Sequence, residues 1–325
     1  MSVALTRSRA LNALRCYGNY ALSLMGLVRI THMPTFVSVE PASVCQLRCP
    51  ECPVGMRGER TAVRGDRLMS PALWHRVLEQ IVPYAHTVQF YFQGEPLLNP
   101  NLPQMIREAH EAGLYTVVST NAQALTPALA EALVAAGLNR IIVSMDGLTE
   151  QSYHAYRAGG SLEQCKAALR YLREAKHKLQ VSSFKFQIEL QCLRLRTNEH
   201  EWKDFRRCYK ALGADRLVFK TAQLHDYADG HPLMPSDTRY SRYVQGTDGR
   251  YRLRKRPAAC LRAWSGVVVT TDGEVLPCCY DKAHAHAYGN IKESPLKELF
   301  RNPRALAFRQ AALREQPSIC KECWK

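Results

Sequence analysis

The sequence predicts an α/β protein: a partial (β/α)6 TIM-like barrel followed by a smaller C-terminal α+β unit. Three observations carry that prediction. From residue 35 to 220, short β-branched or aromatic runs alternate with longer helix-like stretches, the pattern of βα units around a parallel sheet. From about Leu224 the alternation stops, and Gly, Pro, His and Asp become frequent through Gly249, as in a linker. A second cysteine-bearing region then runs from Cys260 to Cys323. At 325 residues and 46% hydrophobic, the chain is long enough to bury a full core across both units. The expected boundaries are an N-terminal helical extension at 1–34, the barrel at 35–223, the linker at 224–256 and the C-terminal unit at 257–325.

In the N-terminal extension, Leu11, Leu14, Ala21, Leu24, Leu27 and Val28 recur at roughly helical spacing. That spacing predicts a helix docked as core packing or as a lid; a membrane-surface anchor and a partner-docking helix are the alternatives. Arg7, Arg9 and Arg15 precede the apolar stretch, which superficially resembles a signal peptide. The stretch from Tyr20 to Val28 holds only nine residues and includes Ser23 and Gly26. No run approaches the roughly 18 to 20 apolar residues of a membrane span.

The six barrel strands are expected at 35–40, 87–92, 115–120, 140–144, 184–193 and 216–220. Between them, 71–81 reads as a helix with Ser70 as N-cap and Pro71 at N1. A second helix opens at Thr126-Pro127 and ends at Gly137 as a C′ glycine; 161–178 and 199–212 read as two more. Six right-handed βα repeats place active groups at the carboxyl ends of the strands. In the C-terminal unit, Asp272-Gly273 between β-branched runs predicts a hairpin with a type I′ turn. That hairpin would bring Cys278 back beside Cys260.

Cys45, Cys49 and Cys52 form a C-x3-C-x2-C triplet just beyond the first strand. Three thiolates at a strand end can face one metal centre and leave a fourth coordination position open. An iron–sulfur cluster normally takes four Cys ligands, so the free iron would be held by a small molecule; a zinc knuckle with a distant fourth ligand is the alternative. Further strand ends carry Gln93-Gly94-Glu95-Pro96, Ser119-Thr120-Asn121 and Ser144-Met145-Asp146-Gly147. The twelve cysteines are clustered as metal ligands are, which places the chain in a reducing compartment, the cytoplasm by default.

Taken in order along residues 35–220, these motifs resemble the radical S-adenosylmethionine (radical SAM) enzymes. The resemblance implies that Cys45, Cys49 and Cys52 hold a [4Fe-4S] cluster and that Gly94 and Glu95 receive the methionyl ammonium. It implies that Asn121 and Ser144 reach ribose or carboxylate oxygens, and that Arg157 pairs with the methionyl carboxylate through its forked guanidinium. Two departures stand out: Gln93 replaces the first Gly of the usual Gly-Gly-Glu, and Glu51 precedes Cys52 where the family often has an aromatic. Cys260, Cys278, Cys320 and Cys323, with Gly273 between, resemble the SPASM or shorter twitch domains that hold a second, auxiliary [4Fe-4S] cluster; a structural zinc fits the same spacing.

By the same resemblance, the cofactors are S-adenosyl-L-methionine and two [4Fe-4S] clusters, reduced by a partner such as flavodoxin or ferredoxin. Four Cys ligands on the auxiliary cluster leave no open iron, which suits electron transfer and therefore oxidation of a small polar substrate such as a sugar or aminocyclitol. Peptide modification, RNA modification and a non-enzymatic metal scaffold are the rival readings. Candidate bases or hydrogen donors are Asp281, His284 and Cys279. The net charge of +15 favours anionic partners. No aromatic pattern interleaves the basic run at 250–256, so nucleic acid is disfavoured.

Overall fold

The computed structural model describes residues 6–56, 67–182, 185–254, 260–314, 316–321 and 323. Six parallel strands form the barrel wall in sequence order: β1 (Phe36–Val39), β2 (Thr87–Phe90), β3 (Tyr115–Thr120), β4 (Arg140–Ser144), β5 (Gln187–Arg194) and β6 (Arg216–Thr221). Each expected strand is present; Phe184, the expected start of the fifth, lies outside the described residues. Along the wall, Val37, Val39, Val88, Phe90, Val118, Ile141, Val143, Ile188 and Leu190 pack in one core with Trp74, Val77, Ile106, Leu133 and Leu169 of the helices. Each such buried side chain contributes about 1.5–3 kcal/mol. Strand side chains alternate, so the other face of the wall carries a different set.

Those alternate positions are largely polar. The register aligns Ser38, Gln89, Val117, Arg140 and Gln187 in one row, and Ser144 with Gln191 four residues further on. Ser38 Oγ lies 3.2 Å from Gln89 Oε1, and Arg140 and Arg216 lie 3.7 and 3.9 Å from Glu189. A mostly parallel sheet with an apolar outside and a polar inside is an open partial barrel with a hydrophilic lumen.

The C-terminal unit continues this sheet. β9 (Gly266–Val269) pairs parallel with β1, and β10 (Glu274–Leu276) and β11 (Gly289–Asn290) add antiparallel strands beyond it. The expected hairpin is β9–β10, but its turn is not type I′. Only Gly273 has positive φ, at +94°, and its N–H donates to Thr270 O at 3.1 Å. This is a type I turn closed by a left-handed glycine. Asp272 keeps ordinary backbone because its carboxylate accepts from the Thr270 hydroxyl.

Between barrel and C-terminal unit, the segment expected to be a linker contains an antiparallel pair, β7 (Tyr243–Gln245) and β8 (Tyr251–Leu253). Part of the basic run is therefore a strand rather than a solvated charge run; Lys255 and Arg256 lie outside the described residues. Helices α2 (Pro71–Ile81), α4 (Pro127–Ala135) and α6 (Leu162–Lys178) lie where expected, capped by Ser70, Thr126 and Ser161. The helix expected at 199–212 is a 3-10 turn, Arg196–Glu201, followed by Trp202–Cys208. A further helix, α3 (Leu102–Glu111), buries Leu102, Met105, Ile106 and Ala109, a helical spacing the sequence already contains.

The N-terminal helix α1 (Arg7–Leu24) docks on the core through Cys16, with Tyr20 and Val28 packed against it, but not through the leucines that the spacing singles out. Its buried residues are Arg9, Asn12, Cys16, Asn19 and Ser23, whereas Leu11, Leu14, Leu24 and Leu27 are 45%, 69%, 56% and 54% exposed. Polar pairing explains the inversion. Arg9 donates to Val82 O at 3.0 Å and to Ala112 O and Gly113 O at 2.7 Å, satisfying carbonyls at the ends of α2 and α3. Asn12 brackets the Met33 backbone, donating to its carbonyl at 3.0 Å and accepting its N–H at 2.8 Å.

Candidate active site at the barrel mouth

The cysteine triplet occupies the loop after β1, and backbone contacts fix that loop against its neighbours. Glu95 N–H donates to Val44 O at 2.8 Å, and Arg48 N–H to Ala158 O at 2.9 Å. Gly94 has φ +64°, and a Cβ there would lie 2.2 Å from Ala42 O, so only glycine lets the two loops touch. The sulfurs face donors. Leu47 N–H and Asn121 Nδ2 each lie 3.4 Å from Cys45 Sγ, and Arg157 Nη1 lies 4.0 Å from Cys49 Sγ. Burial pushes the Cys49 thiol up to about 11, against the opposing pull of Arg157.

This surround fits an iron–sulfur cluster: three thiols converge on one loop, with N–H groups and a cation to offset thiolate charge. Among the described residues no three His, Cys, Asp or Glu side chains are grouped as around a single metal ion. A four-iron cluster takes each thiolate on a separate iron.

Around the triplet, the expected cofactor contacts converge, each with its own constraint. Glu95 is buried; it accepts from Thr120 Oγ1 at 2.6 Å, Asn121 N–H at 2.8 Å and Leu97 N–H at 3.1 Å. Its carboxylate thus locks the ends of β2 and β3 together and sets Asn121 beside Cys45. Ser144 Oγ finds no hydrogen-bond partner among the described residues. Arg157 is no surface pair: its Nε donates to Asp146 Oδ2 at 2.6 Å, and Asp146 is fully buried. Asp146 Oδ1 also accepts Leu193 N–H at 2.6 Å, tying the ends of β4 and β5 to the guanidinium. The sequence signal for Asp146 was present in Ser144-Met145-Asp146-Gly147, next to the serine that drew attention.

Glu51, which stands where the family often has an aromatic, has a different task. Its carboxylate accepts His225 N–H at 2.6 Å and lies 3.0 Å from His225 Nδ1 and 3.2 Å from His231 Nε2. Burial raises its proton affinity, but the His225 hydrogen bonds and the two imidazoles win and hold it below the usual range. The linker is thereby stitched across the cysteine loop. No sequence spacing announced this, because Glu51 and His231 are separated by 180 positions that only folding brings together.

Gln93, the other departure, donates from Nε2 to Lys282 O at 3.0 Å, joining the end of β2 to the C-terminal unit. Beside it stands Glu40, a residue the sequence reading passed over. Glu40 is buried at the end of β1, accepts from Thr271 N–H at 3.3 Å, and has its carboxyl raised to about 7 by burial, against the lowering effect of Lys282.

In the second cysteine region, Cys278 lies within electrostatic reach of Cys279, Cys320 and Cys323. The antiparallel hairpin returns it beside the start of β9, which follows Cys260 by one short helix. Asp281 is fully buried, and its two oxygens accept Ala285 N–H at 2.8 Å and His286 N–H at 2.9 Å. Those bonds shape the 281–286 loop and leave the carboxylate committed. His284 has φ +56°, pairs through Nδ1 with Glu274 at 2.5 Å and sets its ring at a tilt to Phe92, just past β2, with centroids 6.1 Å apart. Cys279 is close enough to Tyr91, on the lumen side of β2, to influence its hydroxyl.

Residues 39–184 match the radical SAM superfamily and residues 260–324 an iron–sulfur cluster-binding domain, SPASM. Among curated proteins, a PqqA peptide cyclase of Ruegeria pomeroyi is 28% identical, over 89% of this chain and 79% of its own. An AdoMet-dependent heme synthase of Methanosarcina barkeri is 26% identical, over 91% of this chain and 89% of its own. The crystal structure of BtrN in complex with AdoMet and 2-DOIA superposes with a TM-score of 0.54 at 21% identity, covering 90% of this chain and 94% of BtrN.

Proposed function

The chain belongs to the radical SAM superfamily, carries a C-terminal SPASM domain and is an enzyme; from this premise we propose that it oxidises a small polyhydroxylated or amino-substituted substrate. In this reading the second cysteine set would hold a cluster able to accept an electron. The observation that carries it is the polar lumen: Ser38, Gln89, Tyr91, Ser144, Glu189 and Gln191 face inward beneath the cysteine loop. Hydroxyl, amide and carboxylate groups, buried at Ser38, Ser144 and Glu189 and half-buried at Gln89, Tyr91 and Gln191, favour a ligand that returns hydrogen bonds and penalise one that leaves them unpaired.

S-Adenosylmethionine and the cluster, when bound, would supply radical chemistry able to activate an unactivated C–H bond. The protein's part is positioning. Cys45, Cys49 and Cys52 would hold the cluster; Arg157, oriented by Asp146, keeps guanidinium N–H groups for a carboxylate. Asn121 sits against Cys45, and Ser144 offers its hydroxyl. Oxidation also releases a proton, and Glu40 has the proton affinity near neutrality that a base requires. Cys260, Cys278, Cys320 and Cys323 would hold the electron acceptor. A flavodoxin- or ferredoxin-type reductant, typically acidic, suits the +15 net charge.

A second reading, peptide modification, is favoured by the likeness to the PqqA peptide cyclase. Deuterium transfer separates the two. Anaerobically reconstituted protein should carry about eight irons and cleave S-adenosylmethionine under reduction. Deuterium should pass into 5′-deoxyadenosine from deuterated polyols or aminocyclitols; transfer from peptides alone would overturn the small-substrate reading, and stoichiometric zinc without cleavage would overturn both.

Glu40 also makes a pH prediction. Its carboxyl holds a proton more tightly folded, at about 7, than unfolded, at 4.5. That proton stabilises the fold fully below the unfolded value, and the contribution is lost as pH rises through the folded value. Glu40→Gln should therefore gain about 3 kcal/mol over the parent at about pH 8, relative to their difference in acid. Parallel pH profiles of unfolding for the two proteins would refute this.

A further inference from the structure

The first helix is built inside out. With about 100° per residue, Leu11, Leu14, Ala21, Leu22 and Met25 share one stripe, and Arg9, Asn12, Cys16, Asn19 and Ser23 share the opposite one. It is the second, polar stripe that the protein buries. Seven of the nine large hydrophobic residues exposed among the described residues belong to this helix and its exit: Leu11, Leu14, Tyr17, Leu22, Leu24, Met25 and Leu27. Isolated exposed leucines are ordinary, but a contiguous apolar patch on this scale marks a contact surface.

Arg9, Asn12 and Asn19 explain why the helix keeps this orientation. Asn19 Nδ2 donates to Thr31 Oγ1 at 2.9 Å and lies 2.8 Å from His32 Nδ1, whose Nε2 is 2.9 Å from Trp264 O. Rolling the leucines inward would strand the Arg9 guanidinium and these amides without their hydrogen-bond partners, and a buried polar group left unpaired is destabilising. The apolar stripe is therefore held outward.

Charge identifies what covers it. Residues 1–39 contain no Asp or Glu, and Arg7, Arg15 and Arg29 are exposed around the patch. A groove of about 820 Å3 beside the helix exit is lined by Leu24, Leu27, Val28 and Leu313, together with Arg29 and Arg314. Leucines and a tyrosine flanked by arginines, with no acidic residue, match the interface of an anionic bilayer. No helix among the described residues is long and apolar enough to cross a membrane, so the contact lies in the plane of the surface. We infer that the outward stripe of α1 docks the enzyme on anionic phospholipid, with Leu11, Leu14 and Met25 entering the headgroup region and Arg7, Arg15 and Arg29 pairing with phosphates.

Co-sedimentation of the full-length, anaerobically reconstituted protein with vesicles tests this. Phosphatidylcholine vesicles containing phosphatidylglycerol should bind on the order of 100-fold more tightly than phosphatidylcholine alone at low salt, roughly fivefold for each of three arginines. High salt should erase that difference. Leu11→Glu, Leu14→Glu and Met25→Glu combined should abolish binding, with iron content and S-adenosylmethionine cleavage unchanged as the control for folding. Equal binding by the parent and this variant would overturn the proposal. So would the absence of binding to either vesicle, or a dimer in light scattering that the glutamates dissolve, because the stripe would then cover a second copy.

Discussion

Replacing Cys45, Cys49 and Cys52 together by Ala is expected to abolish S-adenosylmethionine cleavage while leaving about four irons, those of the second cluster. The effect should be complete rather than graded. In the proposed reading the loop supplies three ligands, and neighbouring His225 and His231 are already engaged with Glu51. The reciprocal set, Cys278, Cys320 and Cys323 to Ala, should leave the other four irons and retain cleavage. Iron analysis and product chromatography on the two variants decide the matter: cleavage that survives in the first would disprove the assignment of the triplet.

Arg157→Ala is expected to have the second largest effect, on stability as well as on cofactor binding. Asp146 is fully buried, and Arg157 is its cationic partner, so the truncation strands a charge at a cost of about 3–5 kcal/mol. Adding Asp146→Asn should recover much of that stability, because the uncompensated charge is gone. It should not recover binding of S-adenosylmethionine, which needs the guanidinium itself. Arg157→Lys keeps the charge but loses the fork, and should fall between the two. Denaturant unfolding of the parent, Arg157→Ala, Asp146→Asn and the double variant gives the cycle, with equilibrium binding of the cofactor measured on each; additive stability losses would mean that the pair is not coupled.

The lumen and the linker give the substrate reading its physical basis. A carboxylate in place of an aromatic at Glu51 ties His225 and His231 across the cysteine loop, so the linker becomes part of the wall around the site. Gln93 does the same on the other side by binding Lys282 O. Both departures from the family pattern thus serve one end, which is to close the mouth of a short barrel using segments from outside it. The α1 stripe sets a further constraint, because a bilayer-docked enzyme would meet its substrate beside a membrane.

Local order along the chain was enough to read the strands, their helices, both cysteine sets and the motif residues at the strand ends. Each of these is a local signal: β-branched runs, caps such as Ser70 and Thr126, and thiols at fixed short spacing. The periodicity of α1 was equally legible, but its direction was not. Which stripe of a helix is buried depends on what awaits it, and here Val82, Ala112, Gly113 and Met33 offer carbonyls that only Arg9 and Asn12 can satisfy. The hydrogen bonds of Asp281 were hidden for a related reason, since its two oxygens accept from amides four and five residues ahead that only the folded loop turns toward them. Glu40, Asp146 and the Glu51 clamp became visible only in three dimensions. A carboxylate's proton affinity and partners are set by neighbours far away in sequence, and tertiary structure alone brings those neighbours together.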